Sequence, residues 1–177
     1  MIISELKAQK IIDLTTTNLK AVNTFMTLEK MDGEKVVRFV KNPIVKKFDE
    51  PTFVRIDHLN FTNGIIEVKV LSRILADAPD FARGFIGIAF HINDSNSNFE
   101  SIYIHPLNAR VEDQIRRNRS IQYFSYPDFK YQRLRKEFQN KYESYADMAL
   151  NEWIQLRLEV QGQKAKLYIN NNNPHLS

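Results

Sequence analysis

Cysteine is absent from this chain of 177 residues. Its absence excludes thiolate zinc sites, thiol nucleophiles and redox pairs, but it leaves the compartment open, because many exported proteins also lack disulfides. No run approaches the ~20 consecutive apolar residues of a membrane-spanning helix. The N-terminus, Met1-Ile-Ile-Ser-Glu5, puts an acid where a signal peptide needs a basic start followed by an apolar stretch. The chain as given is therefore read as soluble and without a signal peptide. Internal repeats and interdomain linkers are also missing. What is present is ordinary globular composition, 43% hydrophobic, 26% charged and 11% aromatic. A chain of this length buries roughly 70% of the surface its unfolded form exposes, enough for a core without staples. The expectation is one domain over residues 1–177.

The net charge of +4 is modest and unevenly placed. Residues 108–141 hold nine Lys and Arg against four acids, while the remainder of the chain is close to neutral. Basicity belongs to that one segment. The run Arg116-Arg-Asn-Arg119 beside Tyr123, Phe124 and Tyr126 has cations and rings that nucleic acid could use. It is too brief, and no nucleic-acid module surrounds it, so no nucleic-acid partner is expected.

Apolar alternation at period two dominates the pattern. Strands are predicted at Lys10–Asp13, Thr24–Leu28, Val36–Val40, Thr52–Ile56, Gly64–Leu71, Gly84–Ile92, Phe99–His105, Trp153–Val160 and Lys164–Ile169. Asp32-Gly33 between two such runs is a hairpin signal, and Asn63-Gly64 and Gln161-Gly162 are further turns. In Gly84–Ile92, Ile86, Ile88, Phe90 and Ile92 share one face and Phe85, Gly87, Ala89 and His91 the other, where two small residues imply a close neighbour. In the next strand Ile102 and Ile104 point inward and Ser101, Tyr103 and His105 outward. Helical spacing shows only at Asp128–Gln139, through Tyr131, Leu134 and Phe138. Many strands with few helices give an antiparallel sandwich. The last strand runs into Asn170-Asn-Asn-Asn-Pro174, a turn composition, with only His175-Leu-Ser177 after it. The sandwich is thus expected to lack its closing C-terminal strands, leaving an open edge for self-association.

Several catalytic signatures are missing. No Glu-x-Asp-x-x-Glu run pairs carboxylates across a glycosidic bond. No His-Glu-x-x-His places a metal pair on a helix, and no Gly-x-Ser-x-Gly carries a nucleophile. Glu67 and Glu159 are expected on a charge-paired outer face with Lys69 and Arg157. His91 and His105 fall on strands expected to be neighbours, where they could share a ligand or metal. Asn93-Asp-Ser-Asn-Ser-Asn98 has the oxygens that Ca²⁺ prefers but not an EF-hand spacing, so it reads as a turn. No cofactor is expected, Ca²⁺ being the one metal with a local donor set.

The segment from 82 to 160 carries a more specific pattern. Ala82-Arg-Gly-Phe-Ile-Gly-Ile-Ala-Phe90, Phe99-Glu-Ser-Ile-Tyr103, Asp113-Gln-Ile-Arg-Arg-Asn118, Ser125-Tyr-Pro-Asp128 and Tyr142-Glu-Ser-Tyr145 together resemble bacterial concanavalin A-like lectin/glucanase domains, related to laminin-G-like modules and 3-keto-disaccharide hydrolase domains. The resemblance implies an all-β jelly-roll of two antiparallel sheets, secreted or periplasmic, binding an oligosaccharide or polysaccharide on its concave sheet and rim loops. The alternatives are a glycoside hydrolase or lyase acting on such sugars, or a structural interaction domain. The densest stretch, with the flanking strands, nominates His91, Tyr103, Arg110, Gln114, Arg116, Arg117, Asn118, Gln122 and Tyr123 as ligand-binding residues. Their rings could stack on sugar faces while Arg, Gln and Asn bond hydroxyls. The same arginines could instead pin loops through Glu112, Asp113, Glu143 or Asp147.

Overall fold

The computed structural model describes residues 10–14, 19–47, 50–172 and 174. The readings on the first nine residues and on His175 fall outside them. The fold is all-β, built from antiparallel sheets that do not close into a barrel. By its contacts the chain divides into two units, Met1–Leu59 and Asn60–Ser177.

In the first unit, β1 (Leu19–Val22), β2 (Thr24–Met31), β3 (Glu34–Lys41) and β4 (Phe53–Ile56) form two pairs, β1 with β4 and β2 with β3. The β2–β3 hairpin turns at the predicted Asp32-Gly33, whose φ angles of 52° and 85° are both left-handed. That is the turn whose twist matches the flanking strands, and glycine enters it without steric cost. Residues 10–13 were predicted as a strand and do not form one. β1 was not predicted; it is held by pairing with β4, from Val22 against Phe53 to Leu19 against Ile56, more than thirty residues along the chain, which no local pattern reports.

The second unit is a sandwich. It contains, in chain order, β5 (Gly64–Leu71), β6 (Ile86–Phe90), β7 (Phe99–Ile104), α1 (Pro106–Ala109), α2 (Gln114–Arg117), β8 (Ile121–Tyr126), α3 (Tyr131–Glu137), β9 (Glu143–Ser144), β10 (Trp153–Gln161) and β11 (Lys164–Ile169). One sheet has the order β11-β10-β5 and the other β6-β7-β8-β9. Side chains alternate along each strand, so each sheet gives one face to a shared core. Ile154, Leu156, Leu158 and Val160 of β10 meet Ile102 and Ile104 of β7 and Ile121 of β8 there, all buried.

β5 has the predicted bounds. β6 stops at Phe90 because His91 adopts a left-handed φ of 52°, which a strand cannot continue through. β8 was not predicted as a strand, although Ile121-Gln-Tyr-Phe-Ser-Tyr126 alternates. The helical reading at Asp128–Gln139 contracts to α3, whose single fully buried side chain is Leu134. Helices α1 and α2 are four residues each, too short to show a period. α2 is set by Asp113, whose carboxylate accepts from the backbone N–H groups of Ile115 and Arg116.

Candidate functional site

The face of the β6–β9 sheet turned away from the core combines rings with buried polar groups. Register places Gly87, Tyr103, Gln122 and Glu143 in one row across the four strands. A strip of rings crosses that row. Phe85 lies 6.2 Å from Tyr103, Tyr103 5.4 Å from Phe124, Phe124 5.6 Å from Phe99, and Phe99 stacks on Tyr126 at 5.1 Å. Gly87 is required for this arrangement. A Cβ there would sit 2.4 Å from the Ile102 carbonyl oxygen and 2.5 Å from Tyr103 Cα. The close neighbour implied by the small residues of β6 is thus the backbone of β7.

The outward residues of β7 and β8 are not solvated as an outer face suggests. Ser101, His105 and Gln122 are all buried, Gln122 to 1% exposure. The Tyr103 hydroxyl donates to Gln122 Oε1 at 3.0 Å, and the Gln122 Nε2 amide has no partner among the described residues. His105 packs edge-on against Phe85 at 4.8 Å and lies 4.7 Å from Tyr103. Its Nδ1 is 3.4 Å from Asn108 Nδ2, and Asn108 Oδ1 accepts from Arg116 at 3.3 Å. With that amide oxygen occupied by a guanidinium, the amide nitrogen donates to Nδ1 and the ring proton resides on Nε2. Nε2 is buried and, among the described residues, has no partner. Burial first, then the charges of Arg135 and Arg83, push the His105 pKa down to about 3, so the ring is neutral.

Glu143 closes the row. Arg135 donates to it from Nε at 2.8 Å and Nη2 at 2.5 Å, and Arg119 reaches its other oxygen at 3.5 Å. The Glu143 side chain is 6% exposed, so these guanidiniums replace its water.

The nine nominated residues separate in the fold. Tyr103 and Gln122 share the face just described. His91 and Tyr123 meet elsewhere, around Glu100: His91 Nδ1 is 2.8 Å from Glu100 Oε1, and the Tyr123 hydroxyl donates to Oε2 at 2.7 Å. His91 Nε2 lies 2.9 Å from the Thr62 carbonyl oxygen. Both acceptors favour the doubly protonated ring. Burial opposes that charge, but the Glu100 and Thr62 bonds outweigh it and raise the His91 pKa. Tyr123 is raised by burial and by Glu100.

The arginine segment mostly ties loops. Arg110 donates to Asp147 at 2.7 Å and to Glu152 at 3.0 Å; its hydrogen bonds raise its own pKa and hold the Asp147 carboxyl below the usual range. Arg117 donates to the Val111 carbonyl at 2.8 Å and to Gln114 Oε1, and Gln114 Nε2 donates to Asn118 at 2.8 Å. These three residues lock α2 to its own flanks. Of the nominated arginines, Arg116 reaches toward the sheet, through Asn108.

The idea that His91 and His105 share a ligand is overturned. The antiparallel pairing of β6 and β7 sets them at opposite ends, His91 next to Glu100 and His105 beyond the Ile86–Ile104 pair. In the 93–98 loop, Asn93 Oδ1 accepts from the backbone of Ser97 at 2.9 Å and of Asn98 at 3.2 Å, so this oxygen holds the turn. Among the described residues no three His, Asp or Glu side chains gather as a metal site. Glu67 and Glu159 do share an outer face, each paired with Arg157.

Contributors to the ring-lined face that were not nominated include Phe85, His105, Phe124 and Arg135. For the first three the signal was strand parity, which sets Phe85 beside Gly87 and His105 beside Tyr103. Arg135 gave none, because its place depends on where α3 packs. Comparisons with protein-family models, curated proteins and solved structures found no match for this chain.

Proposed function

We propose that this protein binds a carbohydrate on the outward face of its β6–β9 sheet. The observation that carries this reading is the strip Phe85–Tyr103–Phe124 running beside the polar row of Tyr103, Gln122 and Glu143. A pyranose needs that combination. Its C–H face lies against aromatic rings, while its hydroxyls require fixed donors and acceptors at the side. The resemblance to concanavalin A-like domains points to the same ligand class. Binding rather than turnover follows from the carboxylates: Glu143 is engaged by two guanidiniums, and Glu100 by His91 and Tyr123. Neither is left to act as a proton donor or nucleophile.

The test is thermal unfolding against an oligosaccharide panel. A sugar at 100 times its Kd adds about 2.7 kcal/mol to the folded state. The shift should vanish in Tyr103→Ala and Phe124→Ala and persist in Arg117→Ala, whose guanidinium stays within the α2 segment. Absence of a saturable shift with any sugar would defeat the reading.

A further inference from the structure

Resting on the carbohydrate reading, we infer that the ligand is an acidic saccharide, and that His105 Nε2–H and Gln122 Nε2–H, flanked by Arg83 and Arg135, receive its carboxylate. The two buried side-chain nitrogens here that lack a partner among the described residues, His105 Nε2 and Gln122 Nε2, are both donors. His105 has its proton on Nε2 because the chain Arg116 to Asn108 to His105 fills Nδ1. Gln122 Oε1 already accepts from the Tyr103 hydroxyl, while its Nε2–H has no partner among the described residues. Both nitrogens are buried, and a buried donor left unpaired carries a desolvation penalty that a ligand acceptor would relieve. Two convergent donors beside guanidinium charge suit a carboxylate, which brings only acceptors, better than a neutral hydroxyl, which also brings a proton to place.

Charge points the same way. Arg135 and Arg119 share a single carboxylate, Glu143, and the charges of Arg135 and Arg83 both act on His105. Arg83 donates to the backbone carbonyls of Asp80 at 2.6 Å and Ala82 at 2.7 Å, and among the described residues no carboxylate pairs with it. Its field and that of Arg135 reach His105, which stays neutral and therefore adds a directed donor rather than a competing charge. The rings of Phe85 and Tyr103, both against His105, would hold the sugar body while the carboxylate turns inward. Phe85 is half exposed, so it can move aside on entry. In this scheme Arg116 is a positioning residue, acting through Asn108 on the His105 tautomer.

The experiment is calorimetric titration of the full chain with matched pairs: uronate oligomers of the gluco, galacto and manno series, and the same oligomers after carboxyl reduction to neutral hexoses. At least one uronate should bind ten or more times tighter than its reduced partner. In His105→Phe that ratio should fall to near one, and in Arg83→Gln, shown folded by its cooperative melt, it should shrink several-fold. Nitrogen NMR of the imidazole should show His105 as the Nε2–H form in the wild type and a mixed form in Arg116→Ala. Equal binding of both members of every pair overturns the acidic subsite and leaves the carbohydrate reading standing. Failure of both members of every pair to bind overturns the two together. A persistent uronate preference in folded Arg83→Gln and His105→Phe puts the carboxylate elsewhere and overturns this assignment.

Discussion

The two sheets of the sandwich turn outward in different ways. On β5-β10-β11 the outward row is ionic: Arg157 meets Glu67 at 3.2 Å, bonds Glu159, and lies 5.0 Å over the Tyr168 ring, whose hydroxyl donates to Glu159 at 3.2 Å. This small network is internally satisfied. On β6-β7-β8-β9 the outward row is aromatic, with Ser101, His105 and Gln122 buried, and two side-chain nitrogens lack partners among the described residues. A solvated face needs only to avoid harm, whereas burying unpaired donors carries a penalty that stability alone would not retain. The contrast separates a face whose polar groups satisfy one another from one that buries polar nitrogens without a partner among the described residues.

The comparison can be broken most heavily at the element both faces share. Leu158 is fully buried between the sheets, so Leu158→Ala should cost about 2–5 kcal/mol in chemical denaturation and weaken both faces alike. A narrower blow is Gly87→Ala. Its new methyl meets the backbone of β7, so it should cost about 1–3 kcal/mol and displace Tyr103, abolishing sugar binding beyond the loss in stability. Full sugar affinity in that variant would mean the ring strip is not the platform.

The two histidines give opposite pH signatures. His105 is held neutral down to about pH 3, while its unfolded form takes up a proton near 6.5. The unfolded state therefore binds more protons between those values, and stability falls as the pH drops below 6.5, with a slope approaching about 1.4 kcal/mol per pH unit. His91 has a raised pKa, so its contribution is full below about 6.5 and is lost as the pH rises through the folded value. Urea midpoints measured from pH 4 to 8 should show His105→Gln losing the acid-side slope and His91→Gln losing the fall on the alkaline side. Unchanged slopes would remove the environments assigned to both rings. The smallest effect is expected from Arg157→Ala on the ionic face, about 0–1 kcal/mol in the same denaturation assay and no change in sugar affinity.

Much of the sandwich was legible because strand parity is a local property. Ile154, Leu156, Leu158 and Val160 alternate with polar residues and are all buried, and β5 has its predicted bounds. Asp32-Gly33 named its own turn. The site was less legible. Tyr103 and Gln122 were nominated and do face one another, but His91 and Tyr123 were grouped with them although parity and a left-handed residue send them to Glu100. The arginines were conspicuous as composition, yet Arg110, Arg117 and their partners are spent on loops.

The sequence alone determined the period of two, the turns and the burial stripe, since these depend on residues within a few positions of one another. Only the tertiary structure decided which polar groups stayed unpaired. Whether His105 and Gln122 find partners depends on the register of β7 against β8, on the Arg116–Asn108 contact and on where α3 delivers Arg135. Each of those is a pairing across many residues, set by the packing of the whole sheet.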